Sequence, residues 1–254
     1  MRRWTSNMKS CFVLLALWAG STRVLSVQLV AGDCKSALDQ HHAILTIPGD
    51  NTGHCSGLLL NKGWIITAAQ CNMTDLEVIL GQSSKKNGER FKIQQIKVFR
   101  DSKGAHDLML LKVDENAASK FPAVRLPDHN TCKPPANKAA VQLFGWTGEA
   151  FSFKHNTTLP PLLQCGTVTV AECGSMSRYG DHLREKMKAY SYQTLLCASH
   201  PTDACDLFSG AALMNSGILH GVLVNSDIYC QASLEFIDIC GKDYRKWIFE
   251  TTGL

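Results

Sequence analysis

A chain of 254 residues accommodates one large all-β domain or two ordinary ones. With 45% hydrophobic and 19% charged residues it is neither disordered nor fibrous. The formal charge of +4 belongs to the first 26 residues. They hold Arg2, Arg3, Lys9 and Arg23 and no acid, so 22 basic residues face 22 acidic ones in the remainder. A balanced remainder argues against a nucleic-acid partner, which would call for a basic surplus.

The N-terminus reads as a secretory signal peptide over 1–26. Arg2, Arg3 and Lys9 form a basic start, residues 11–19 (CFVLLALWA) an apolar core, and Val24-Leu-Ser26 a small-residue cleavage site. Met8 serves equally well as the initiator, leaving Lys9 as the basic start. A membrane anchor is the alternative, but the apolar run is far short of the about 20 residues that cross a ~30 Å core. No membrane partner is expected.

Downstream, short runs rich in Val, Ile and Leu alternate with turn signals. Strands are predicted at 43–47, 58–60, 63–67, 76–80, 91–99, 108–113, 140–144, 166–170, 211–214 and 219–224. Evenly spaced short strands suit a sandwich or barrel. Two helical patches stand apart. In 181–192, Leu183, Met187 and Tyr190 share a face; near the end, Tyr244, Trp247 and Ile248 do so. The Pro- and Lys-bearing stretch 132–138 is the expected crossing between two halves.

Cys11 leaves with the leader, and ten cysteines remain: Cys34, Cys55, Cys71, Cys132, Cys165, Cys173, Cys197, Cys205, Cys230 and Cys240. An even count in an exported chain points to disulfides, whereas zinc ligation lacks its sequence spacing. No metal or cofactor is expected. Asn72-Met-Thr74 and Asn156-Thr-Thr158 are acceptor tripeptides for N-glycosylation.

Six segments then occur in order: Leu29-Val-Ala-Gly32, Cys55-Ser-Gly-Leu-Leu59, Trp64-Ile-Ile-Thr-Ala-Ala-Gln-Cys71, Asp107-Leu-Met-Leu-Leu-Lys112, Phe144-Gly-Trp146 and Cys205 with Ser209-Gly210. Together they resemble the signatures of the trypsin/chymotrypsin family of secreted serine proteases across nearly all of 29–254. The resemblance implies an all-β fold of two six-stranded antiparallel barrels (29–135 and 136–240) with a C-terminal helix in 241–254. It also implies the bridges Cys34–Cys165, Cys55–Cys71, Cys132–Cys240, Cys173–Cys197 and Cys205–Cys230. The stretch between Cys173 and Cys197 is about ten residues longer than the resemblance leads one to expect, and it holds the first helical patch.

That family's chemistry needs a hydroxyl nucleophile, an imidazole base, an orienting carboxylate and backbone donors for the oxyanion. By resemblance Asp107 stands at the carboxylate position and Ser209 at the nucleophile position. Where the imidazole belongs, the chain has Gln70, in a register that Cys71 fixes. Its amide could donate to Asp107 and accept from the Ser209 hydroxyl, but it is not a usable base. The loop Cys-x-Gly-Asp-Ser-Gly-Gly-Pro of the family reads here Cys205-Asp-Leu-Phe-Ser-Gly-Ala-Ala212. Leu207 replaces an oxyanion-hole glycine, and its Cβ is expected to restrict the backbone and crowd an intermediate. Phe208 replaces the aspartate that pairs with a freed N-terminal amine. Gln28 precedes Leu29 and Arg23 lies six positions upstream, so no trypsin-like activation cut is visible.

By the same resemblance Asp203 aligns with the acid that selects Lys and Arg side chains, but in a plugged pocket it reads first as a solvated or hydrogen-bonded loop acid. The pocket wall Ser-Trp-Gly reads Val224-Asn225-Ser226, and Leu234 is expected to plug the pocket. His106 precedes Asp107 but points to the opposite face of an extended strand. His54 lies just before Cys55, where the family commonly keeps a structural histidine. The remaining histidines, His41, His42, His129, His155, His182, His200 and His220, read as surface or core-edge residues. Two functions are weighed: a secreted homologue without peptidase activity that binds a protein (a protease, inhibitor or receptor), and a protease of weak or unconventional activity using Ser209 and Asp107.

Overall fold

A computed structural model describes residues 30–31, 41–50, 52–82, 87–146, 151–152, 157–158, 163–173, 191–199, 207–226 and 233–254. The leader, the activation site, the 181–190 part of the first helical patch, Cys34, Asn156, His155, His182, His200, Asp203, Cys205 and Cys230 lie outside these residues. No helix among the described residues is long and apolar enough to cross a membrane.

The structure is mostly β. Seven strands form the first sheet: β2 (His42–Thr46), β3 (Cys55–Leu60), β4 (Trp64–Thr67), β5 (Glu77–Leu80), β6 (Glu89–Lys92), β7 (Gln95–Asp101) and β8 (Gly104–Lys112). They lie in the order β6-β5-β2-β3-β4-β8-β7, all antiparallel. This sheet is a half-barrel. Its two edges are successive pieces of one stretch, bent where Gln94 N–H turns to Lys112 O at 2.7 Å. The second sheet contains β1 (Val30–Ala31), β9 (Ala140–Trp146), β12 (Leu163–Ala171), β13 (Leu195–Ala198), β14 (Ala212–Asn215), β15 (Ile218–Asn225) and β16 (Leu234–Asp238). Pairing of β12 with both β13 and β9 closes six of its strands into a barrel, with β1 added at the outside. A small hairpin, β10 (Phe151–Ser152) with β11 (Thr157–Thr158), stands apart.

Near-continuous apolar strands arise because both faces are covered. Ala43, Leu45, Leu59, Ile65, Met109 and Leu111 point into the first sheet's interior. Their strand neighbours Ile44, Leu58, Leu60, Ile66, Leu108 and Leu110 point to a seam shared with Phe144, Trp146, Met214 and Val222 of the second half. The barrel interior is a third cluster, built from Val141, Leu143, Val168, Leu213, Leu223 and Phe236. Helix α1 (Glu115–Ala118) starts at Asp114, whose Oδ1 accepts from Ala117 N–H at 2.7 Å. Helix α2 (Lys242–Thr252) docks through Tyr244 and Ile248. It ends at Gly253 with φ 68°, where Lys62 Nζ donates to the carbonyls of Thr252 and Gly253 and so meets the negative end of the helix.

Several details depart from the sequence reading. Strands β1, β10, β11, β13 and β16 have no counterpart among the expected runs, and the single run expected at 91–99 is two strands, β6 and β7, at opposite edges of the sheet. The chain crosses between halves earlier than 132–138: Val124 N–H donates to Leu59 O, and Arg125 already bridges to Ile218 in the second sheet. His41 and His42 are fully buried, not core-edge, with rings 5.1 Å apart and His42 against Phe144. Among the described residues, neither ring nitrogen of His42 has a hydrogen-bond partner, nor has His41 Nε2. Burial lowers the pKa of His41 to about 4 and, with the neighbouring His41, that of His42 to about 3.

Candidate active-site cleft

Residues 69–71 form a single 3-10 turn at the end of β4, pinned by the Cys55–Cys71 disulfide. The turn presents Gln70 to Asp107, which lies on β8, the strand paired with β4. Gln70 backbone N–H donates to Asp107 Oδ1 at 2.7 Å. The side chain goes elsewhere. Its Nε2 donates to the carbonyl of Val224, at the end of β15, at 2.5 Å. The expected bridge from the Gln70 amide through to Asp107 and the Ser209 hydroxyl is therefore not formed. The physical reason lies in β15: its pairing with β16 shifts register between Leu223 and Asn225, leaving the Val224 carbonyl open to a donor from the first half.

Ser209 is held through its main chain. Its carbonyl accepts from Ser56 N–H at 2.8 Å and faces Cys71 Sγ at 3.7 Å. Ser56 is a hub between the halves. Its Oγ accepts from Trp146 N–H at 3.0 Å, and its carbonyl accepts from Thr67 Oγ1 at 2.7 Å. Gly210 follows with φ +88°, and a Cβ there would run into the Ser56 carbonyl oxygen. Thus the structure brings residues 70, 107, 209 and 224 to one cleft, with Asp107 and Ser209 half-buried and Gln70 exposed.

Leu207 is buried in the second barrel's interior cluster, close beside Gly145. Phe208 packs against the seam cluster, and its N–H donates to Trp146 O at 2.9 Å. Leu234 is completely buried in the same interior cluster as Leu207. Beside it Glu235, nearly buried, accepts from Asn225 Nδ2 at 3.2 Å, and burial pushes its carboxyl upward in pKa.

His106 points away from the cleft. It is buried among Phe99, Tyr192 and Tyr244, with Nδ1 2.6 Å from Tyr244 Oη and Nε2 3.0 Å from Asp101 Oδ2. Burial pushes the Tyr244 hydroxyl up to about 12. Two contacts have no sequence signal at all. Asp107 N–H donates to Gln193 Oε1 at 2.5 Å, and Tyr192 Oη donates to Ala105 O at 2.5 Å. They seat the chain that follows the long 174–190 stretch beside Asp107. Asn72, next after Cys71, is exposed. His54 bonds to Asp50 at 2.8 Å on the surface. Disulfides join Cys55–Cys71, Cys132–Cys240 and Cys173–Cys197, and Cys165 is also disulfide-bonded.

Comparison with known proteins agrees with this architecture. A family model described as Trypsin matches residues 35–248. Human kallikrein-7 is 30% identical over 215 residues, covering 79% of this chain and 78% of that protein. The venom plasminogen activator TSV-PA of Trimeresurus stejnegeri is 26% identical over 215 residues, covering 78% and 77%. Among solved structures, neuropsin, a serine protease expressed in the limbic system of mouse brain, superposes with a TM-score of 0.62 at 21% identity, covering 87% of this chain and 98% of that one. Kallikrein-related peptidase 10 gives 0.58 at 21%, covering 86% and 98%; these two establish likeness of fold. With a half-barrel and a barrel meeting at a cleft, and a family match over most of its length, the chain belongs to the trypsin-like serine protease family.

Proposed function

We propose that this protein is an exported trypsin-family homologue that has lost peptidase chemistry and acts by binding another protein, as a decoy, inhibitor or cofactor of active proteases. One observation carries the reading: the side chain at the base position is an amide, and it is spent on the Val224 carbonyl. An amide cannot take the serine proton near neutral pH. Losing the base of a serine hydrolase costs about 10⁶ in kcat, and losing one oxyanion donor costs about 10²–10³ more. The burial of Leu207 supports that second loss, because it ties the loop before Ser209 to the barrel interior. Burial of Leu234 supports a filled specificity pocket, which leaves Asp203 without a substrate side chain to meet.

The leader, the disulfides and the venom relatives support export. A glycan at the exposed Asn72 fits the same route. The second reading, a weak endopeptidase, draws on the retained Ser209 and Asp107 and on the bond from residue 70 to Asp107.

A fluorophosphonate probe separates the two. The binding reading expects no labelling of Ser209 and no hydrolysis of peptide esters. Stoichiometric labelling that Ser209→Ala abolishes overturns it. Gln70→His alone is expected to restore no turnover, because the loop around Leu207 and Phe208 remains altered. Appreciable hydrolysis by that variant would show that the loop matters less than the base. The partner is sought by pull-down from the fluid into which the protein is secreted.

A further inference from the structure

Outside the cleft, three metal-ligating side chains far apart in sequence converge. Cys132, His220 and Cys240 place their ligand atoms within 4.8 Å of one another. Cys132 and Cys240 form a disulfide, and His220 Nδ1 lies 3.5 Å from Cys240 Sγ. We propose that reduction of this disulfide converts the cluster into a Cys2His site for a zinc-class divalent cation. This inference is independent of the reading of the cleft.

The geometry carries it. Zinc binds thiolate at about 2.3 Å and imidazole at about 2.0–2.1 Å, so a tetrahedral site has an N···S edge of about 3.6 Å. The His220–Cys240 pair already stands at that edge. What is missing is the separation of the two sulfurs to about 3.8 Å, the S···S edge of the same tetrahedron, which opening the covalent bond permits. Main-chain bonds fix the backbone of both residues: Cys240 N–H donates to Asp238 Oδ1 at 2.9 Å, and His220 O accepts from Ile239 N–H at 2.9 Å. His220 is nearly buried. The two cysteines are only half-buried, so a reductant and an ion have access.

The chemistry balances with an external dithiol as reductant. One of its thiolates attacks a sulfur of the bridge, the second resolves the mixed disulfide, and the dithiol leaves as its own disulfide while the protein gains two thiols. Binding a divalent cation then displaces both thiol protons, giving two thiolates, one neutral imidazole and a fourth position for water.

The test uses the full secreted chain, treated with a dithiol, desalted under argon and titrated with Co²⁺ as a spectroscopic probe. One equivalent per chain is expected to give thiolate charge-transfer absorption and tetrahedral d–d bands, both abolished by Zn²⁺, with no signal from the oxidised chain. His220→Ala is expected to weaken binding at least tenfold, and Cys132→Ser with Cys240→Ser to remove it. The proposal falls if reduced protein of native circular dichroism gives no such absorption. It also falls if the signal survives in the double serine variant, whose other cysteines are intact, or if His220→Ala binds as tightly as the parent. Loss of the native spectrum on reduction that the metal does not restore overturns it as well.

Discussion

Asp107 belongs to the first half of the molecule and Ser209 to the second, and different kinds of group hold them. Asp107 accepts from the main chain of residue 70 and gives its own N–H to Gln193, so its place does not depend on which side chain residue 70 carries. The Ser209 loop is placed by its main chain too, and in the proposed reading the base and the bare backbone that its chemistry needs have both been replaced. In that reading a side chain alters the reaction without moving the carboxylate, while in the loop Leu207 and Phe208 pack into the barrel interior and the seam. Scaffold and chemistry are separable here because the scaffold is written in peptide groups.

The sharpest way to break that comparison is Gly210→Ala. A Cβ has no space beside the Ser56 carbonyl, and φ +88° strains any other residue, so a loss of about 4 kcal/mol or more is expected in denaturant unfolding. A near-neutral variant would mean that the loop is not tied to the first half as described.

Acid acts on the seam next. His41 and His42 are neutral in the fold, with pKa values of about 4 and about 3 against 6.5 for the ordinary residue. Between these values the unfolded chain binds more protons than the folded one. Stability is therefore full above pH 6.5 and falls as the pH drops toward 4, by about 2 kcal/mol for each imidazole at pH 5. Unfolding curves at pH 7 and pH 5 measure this, and His42→Gln should flatten the dependence.

Leu207→Ala comes third. Emptying a buried leucine site costs about 3 kcal/mol in chemical denaturation, without restoring hydrolysis while Gln70 remains. An unchanged midpoint would place the side chain outside the interior. The mildest change is Gln70→Ala. It frees the Val224 carbonyl at an exposed site and should cost about 1 kcal/mol, with Asp107 unmoved. A shift well beyond that would show that the amide braces the two halves more than the seam does.

Much of this was legible in the sequence because the signals are periodic or covalent. Alternating apolar runs located most strands, and the cysteine spacing fixed residue 70 against its neighbours. What escaped has a common cause. β16 carries Glu235 and Asp238, acids that hide a buried strand from any hydrophobic pattern, although both are nearly buried. The direction of Leu207 follows from no period, since it sits in an irregular loop. The partner of Gln70 is a main-chain carbonyl in the other half of the protein, and a carbonyl is present at every position. Buried His41 and His42 ran against the ordinary expectation that unpartnered imidazoles stay near water.

Ser56 has one more consequence, for the order in which the protein can mature. Among the described residues, its N–H and its hydroxyl oxygen find their partners at Ser209 and at Trp146, the latter 90 residues further along the chain. During synthesis the first sheet must wait with those groups unsatisfied, and its seam-facing leucines uncovered, until the second half emerges. Nascent chains arrested before Trp146 should accordingly be open to proteases and chaperones, and the two halves should gain protection together.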